Sequence, residues 1–336
     1  MNGDVILSGV SISQDIDFSL SNIKGTLTTM YVDAQSANIS AAEVGNQLIV
    51  FASTFRRKTA IPGQSVTLNF YDTYIKHGLY ITRTSVAGVV SVEASVISGD
   101  LDLLGSTFSY MNAKSAQVTG YFIVGENEIR PAIWTRWFGE SLLDLDGAHF
   151  SGIRGPEDPA VWPLKILFHA SILGLFYSDF CGKPECGHSP GWFQAWLKHA
   201  ADDPPSIEPY KQFSDMLAAQ GRVQESLELN ERGHDVERDA AWQKHRWFRY
   251  ALLWLYGISV GYGNYPERAL LWISILVGVG AVIFRRTPEA KAQNMPFGIA
   301  YSFDTLLPIV HFRELHYKIE LDGWERYYFY FHKLMG

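Results

Sequence analysis

Cys181, Cys186 and His188 stand in a C-x4-C-x-H pattern, two thiolates and an imidazole that a Zn²⁺ ion would accept. A structural zinc site takes a fourth ligand, for which His169 or His199 is the candidate; the other reading is a Gly/Pro loop carrying two free thiols. A different chemistry is suggested by Gly261, Tyr262 and Gly263 within S-V-G-Y-G, just ahead of an apolar run. Backbone carbonyls in such a loop can replace the water shell of K⁺. Asp304, in YSFDTLLPIV, is a carboxylate in an apolar stretch, where charge is expensive and often functional; it would equally cap a helix starting at Thr305. Asp100 with Asp102, and Asp144 with Asp146, alternate so as to share one face of a strand. That face would bind a cation, do acid–base work, or simply be solvated.

Other catalytic signatures are absent from the sequence. It has no G-x-G-x-x-G between strand and helix, no C-x-x-C, no H-E-x-x-H and no P-loop. No catalytic residue is therefore assigned, and no cofactor beyond the zinc that the cysteines would hold. With 336 residues, 47% of them apolar, the chain is large enough for two or three structural units. A net charge of −7 and a pI near 5.8 exclude the basic face that nucleic-acid binding needs. Two cysteines make no disulfide framework. The start, MNGDVILSGVSIS, has neither a basic n-region nor an apolar h-region, so we expect the N-terminal part to stay in the cytoplasm.

The elements that position these residues follow from periodicity. Across residues 1–155 apolar side chains recur every five positions: Ala34, Ile39, Val44, Ile49, and again Leu103, Phe108, Ala113, Val118, Ile123. Gly-led phrases such as GDLDLLG and GYFIV recur at close to twenty. Four five-residue sides make one square turn, so we expect a right-handed parallel β-solenoid, pentapeptide-like, with every fifth residue inward. An ordinary β-sandwich of short strands is the alternative, because the segment from Ser53, STFRRKTAIPGQSVTLNFYDTYIKHGLYITRTS, interrupts the period as an irregular coil or a projecting loop. Gly3, Asp4 and Val5 read as mid-coil, as if the chain opened inside a repeat.

Composition breaks after Gly155. Residues 156–205 form a closing segment rich in Pro, Cys and Trp, in which 164–180 is interrupted by Lys165, His169 and Asp179 and reads as a last buried coil rather than a span. Residues 206–242 predict a helical hairpin: Tyr210, Phe213, Met216 and Leu217 share a face, Gly221 suits a left-handed cap, and the pattern resumes at Val223 and Leu227. One such hairpin is a packing cap rather than a peptide groove. Residues 243–287 hold two further helices. The first, over 242–256, mixes Trp247, Trp254 and other aromatics with Arg249, a composition suited to the lipid headgroup zone. In the second, 269–284 carry no charge, and 266–287 would span about 33 Å, with Trp272, Arg285 and Arg286 as anchors. Gly257, Gly261 and Gly263 then read as a flexible break between the two helices, the competing reading to a filter. Residues 288–336 form a juxtamembrane segment.

The phrases GDLDLLGSTFS, LDLDGAHFSG, DPAVWPLKI, EPYKQFSDMLAAQGRVQESL, GYGNYPERALLW and AYSFDTLLPIV, in this order from about Gly99 onward, resemble a family of bacterial membrane-associated proteins with a pentapeptide-like solenoid, a helical hairpin and a C-terminal membrane segment. The resemblance implies a bacterial inner-membrane protein with a cytoplasmic solenoid, and a second spanning helix beginning where this sequence stops, at Gly336. It would put residues 285–323 outside the cytoplasm, whereas Arg285 and Arg286 favour the cytoplasmic side. Such proteins are sometimes labelled membrane-associated oxidoreductases. We expect instead a non-enzymatic scaffold that contacts membrane lipid and offers its solenoid face to a protein partner; a membrane oxidoreductase and an ion-channel subunit are the alternatives. Oligomeric state is left open.

Overall fold

A computed structural model describes residues 1–57, 66–126, 133–156, 158–169, 171–178, 188–200, 206–292, 298–306, 319, 321 and 323–335. The chain divides into two compact units, Met1–Gln243 and Lys244–Gly336.

The first unit is built of short parallel strands in a 12-stranded and a 10-stranded sheet. In the larger sheet Val5–Ser8, Leu27–Met30, Leu48–Phe51, Leu79–Thr82 and Leu101–Asp102 form one row. Asn22–Ile23, Glu43–Val44, Tyr74–Ile75 and Val96–Ile97 form another, and Gln117–Ile123 pairs with the ends of both. The smaller sheet repeats the scheme, its two rows joined by Thr107–Asn112. Hydrogen-bonded partners in neighbouring strands lie 21 or 22 residues apart, rising to 31 and 32 where the chain is enlarged. The only antiparallel pair among the described residues is Gly125–Glu126 with Ile133–Trp134.

The core lies between these rows. Ala34, Ile39, Val44, Leu103, Phe108, Ala113 and Val118 are all buried. The five-residue period fails at Ile49 and Ile123, which are only partly buried, while Leu48, Val50, Phe122 and Val124 face inward. The reason is that Leu48–Phe51 and Gln117–Ile123 are true extended strands, where the inward period is two. The described part of the segment from Ser53 continues both sheets: Thr54–Phe55, Leu68–Asn69, Tyr74–Ile75 and Leu79–Thr82 keep register with both neighbouring strands. The extra length falls between Arg57 and Thr67. Beyond Gly155, Lys165–Leu167 and Ile172–Ser178 add one more strand to each sheet.

What turns the chain is a pair of left-handed residues per circuit. One series is Gly9, Tyr31, Ala52, Arg83 and Gly105; the other is Leu20, Ala41, Asp72, Ala94, Ser115 and Gly147. Three positions ahead of each member of the second series stands Asp17, Asn38, Asn69, Ser91, Asn112 or Asp144, whose side-chain oxygen accepts the N–H two residues on. These local bonds hold a turn that costs a non-glycine residue roughly 1–2 kcal/mol. The Gly-led phrases have a different cause: a Cβ on Gly99 would come within 1.7 Å of the His77 carbonyl oxygen.

The acidic pairs belong to these turns. Asp102 and Asp144 end strands, whereas Asp100 and Asp146 lie outside them, so the pairs do not alternate along one strand as expected. Asp100 accepts the Tyr121 N–H, Asp102 the Leu104 N–H and Asp146 the His169 N–H. Burial raises the Asp144 pKa above the ordinary carboxylate value, with Asp146 and Glu93 adding repulsion against the Asp146 N–H and Lys114. A raised folded-state pKa means that stability present at low pH is lost as pH rises through that pKa. Asp144→Asn keeps the acceptor, as Asn38, Asn69 and Asn112 do in equivalent turns. It should therefore stabilise the unit at pH 7 by about 0.5–1 kcal/mol, measured by thermal unfolding, with the gain vanishing at acidic pH.

Three helices close the unit: α1 (Pro190–Leu197), α2 (Glu208–Ala219) and α3 (Val223–Gln243). Gly221 is left-handed between α2 and α3. Tyr210, Phe213, Met216 and Leu217 are buried as the spacing predicts, but α3 turns Ser226, Leu229 and Gly233 inward and leaves Val223 exposed, since Val223 is its first residue.

The second unit comprises α4 (Trp247–Val260), α5 (Pro266–Arg286), α6 (Pro288–Ala292), α7 (Gly298–Leu306) and α8 (Trp324–Met335). The helix expected over 242–256 is two: Trp242 belongs to α3, and left-handed His245 separates it from α4. In α5, Glu267–Arg286 is long and apolar enough to cross a membrane by length and composition, with a mean hydropathy of 1.9. Its 21 residues extend about 31 Å.

Candidate functional site

Gly261, Tyr262 and Gly263 form a tight left-handed turn between α4 and α5. Gly261 caps α4 at φ 55° and ψ 47°, and its N–H donates to Gly257 and Tyr256 carbonyls. Tyr262 is also left-handed, at φ 57°, and Gly263 follows at φ 89°. The Gly261 carbonyl accepts the Asn264 N–H at 3.0 Å, so it is engaged within the turn. The Tyr262 ring is buried, edge-on to Tyr256 with centroids 5.8 Å apart. A Cβ on Gly257 would lie 2.8 Å from that ring, which explains a glycine in the middle of the α4 sequence. The turn is thus a packed helix reversal, in which the aromatic side chain folds back on the preceding helix.

Both helices are apolar on their outer surface. No residue of α4 is buried, and Phe248 is 79% exposed. Along α5, Leu271, Ile275, Val279 and Val282 fall at i, i+4, i+8 and i+11, one stripe of a helix, and all are exposed. Trp247, Trp254, Arg249, Arg285 and Arg286 are exposed, as lipid-headgroup anchors would be. Trp272 differs: its indole N–H donates to the Ile258 carbonyl at 3.1 Å, so its polar edge is used within the helix pair.

The inward faces reverse this pattern. Asp304 sits inside α7 and is 1% exposed, so it does not cap a helix beginning at Thr305. Ser302 in α7 and His332 in α8 are fully buried. Both crowd Gly280 of α5, where a Cβ would meet Ser302 Oγ at 2.2 Å and His332 Cε1 at 3.5 Å. Tyr328 donates its hydroxyl to the Leu276 carbonyl at 3.2 Å. Beside these polar groups lies a small aromatic core, with Phe284 stacked on Tyr301 at 4.0 Å and Phe329 edge-on to Tyr301 at 5.1 Å. Small residues at positions 280 and 298 allow α5 and α7 this close approach. The sequence marks Asp304 as a carboxylate among apolar neighbours; Ser302 and His332 carry no comparable signal, because only the packing shows which face they take.

Of the C-x4-C-x-H set, Cys181 and Cys186 lie outside the described residues. His188 is buried, its ring stacked on Trp192 with centroids 3.6 Å apart. Burial, with the Arg222 charge beside it, pushes its pKa down to about 4, leaving a neutral imidazole near pH 7. Among the described residues no three His, Cys, Asp or Glu side chains gather as a metal-binding group. Comparison with family models, curated proteins and solved structures finds no match to this chain.

Proposed function

We propose that this chain is a non-enzymatic, membrane-anchored scaffold, in which a right-handed β-solenoid presents a flat side to a protein partner and the second unit holds it at the bilayer. The observation that carries the anchor is the inverted polarity of that unit: Leu271, Ile275, Val279 and Val282 point outward while Ser302, Asp304 and His332 are buried. In water this costs free energy on both counts; in lipid, polar groups turn to the bundle interior and apolar ones face the chains. Exposed arginines at the end of α5 suit the headgroup zone. What supports the solenoid is the set of rows of short parallel strands in the first unit, and parallel crossovers are right-handed in nearly all proteins. The resemblance to bacterial membrane-associated pentapeptide-like proteins supports an inner-membrane location with the solenoid in the cytoplasm.

Expressed in bacteria, the full chain should remain in the membrane pellet through alkaline carbonate extraction, while residues 1–243 alone should move to the supernatant. A truncated chain that stays with the membrane, or a full chain released by carbonate, would overturn the anchor.

A further inference from the structure

The first unit contains a cleft of about 880 Å³, lined in part by Arg83, Thr107, Trp134, Arg136, Trp137 and Trp162. Its origin lies in strand register. Thr107 pairs with Arg136 and Phe108 with Trp137, but the next pair is Tyr110 with Leu142, so residues 138–141 bulge out of the ladder. Gly139, at φ +66°, shapes the bulge. Bulges of this kind re-aim side chains and recur beside binding sites. The walls are held rigidly: Trp137 is edge-on to buried Phe108 at 4.9 Å, and Trp162, 3% exposed, is edge-on to Trp196 at 5.4 Å.

The charge of this cleft is unusual for the chain, whose net charge is −7. Two arginines line it, and among the described residues no Asp or Glu does. Elsewhere in the unit, Arg56 pairs with Asp33 and Arg57 with Asp15. Arg83 and Arg136 form no ion pair among the described residues, and Arg83 lies 5.9 Å from the Phe51 ring centroid. Two guanidinium groups suit a dianionic phosphate monoester better than a single carboxylate, because each offers a planar donor fork and a full charge. Indole faces suit a planar ring. The volume is that of a small-molecule pocket.

We propose that this cleft binds a small organic phosphate bearing a planar ring, its phosphate between Arg83 and Arg136 and its ring against tryptophan. The test is calorimetric titration of the detergent-solubilised full chain with AMP and with phenyl phosphate, against adenosine, inorganic phosphate and benzoate. Saturable one-to-one binding of a ring-bearing phosphate is expected, with each control at least about tenfold weaker and each of Arg83→Gln and Arg136→Gln weakening binding about tenfold. Both arginines are exposed, so the variants should unfold at the wild-type temperature without ligand. Failure of both ring-bearing phosphates to bind, equal binding of any control, or indifference to both substitutions would overturn the proposal. None of these outcomes depends on whether the second unit enters a membrane.

Discussion

Replacing Leu271 and Val279 together by aspartate is expected to move the full-length chain from the carbonate-resistant membrane pellet to the soluble or aggregated fraction. The two side chains are 60% and 45% exposed, so the substitutions remove little internal packing. They lie eight positions apart on one stripe of α5, well inside its ends at Pro266 and Arg286. An aspartate near the centre of a spanning helix costs about 2.5–3.5 kcal/mol on an insertion scale, and the pair about 6 kcal/mol. That exceeds what an apolar stretch only 20 residues long can spare. Helix content, followed by circular dichroism in detergent, should be unchanged. Undiminished membrane retention by the double variant would mean that this stripe does not face lipid, and the inverted polarity would need another explanation.

The same stripe shows what could be learned from sequence. An uncharged run bounded by Arg268, Arg285 and Arg286 is visible in one dimension, because lipid demands length and composition before it demands shape. The five-residue period in the first unit was visible for a similar reason: each side of a circuit buries one central residue, as Ala34, Ile39 and Val44 do. It falters where sides lengthen into strands, at Ile49 and Ile123, whereas Phe70 and Ile75 keep it. A second signal went unread. Asp, Asn or Ser three positions ahead of a left-handed residue marks each corner of the second series from Asp17 to Asp144, yet most of those left-handed residues are Leu, Ala, Asp or Ser rather than glycine. Sequence reasoning looks for glycine at positive φ, and here the Asx side chain supports the turn instead. The arginine cleft has no linear signal at all, because Arg83 and Arg136 line one cleft only through the pairing of neighbouring strands and a bulge beside them.

The far end of the first unit makes an equally strong demand. Phe213 of α2 is fully buried, stacked on Phe193 at 5.0 Å, edge-on to Trp196 at 5.6 Å and tilted against Phe168 at 6.4 Å. Phe168 follows the last strand of the smaller sheet, Lys165–Leu167, so this ring joins the helical hairpin to the final circuit. Phe213→Ala should cost about 3–5 kcal/mol, since the surrounding aromatic rings cannot collapse into the space. For a unit of this size, melting should fall by roughly 10 °C. In the proposed solenoid each turn would touch only its neighbours, so the loss should be local before it is global. Hydrogen exchange is therefore expected to lose protection first at Lys165–Leu167 and in α2, while Leu48–Phe51 and Leu79–Thr82 keep theirs. Loss spread evenly over all strands would show a single cooperative core and would count against a stacked solenoid. Loss confined to α2, with Lys165–Leu167 still protected, would show that the hairpin rests on the end of the stack without closing it. An uncovered parallel edge invites pairing with other chains, so the variant should also oligomerise on warming where the wild type stays dispersed.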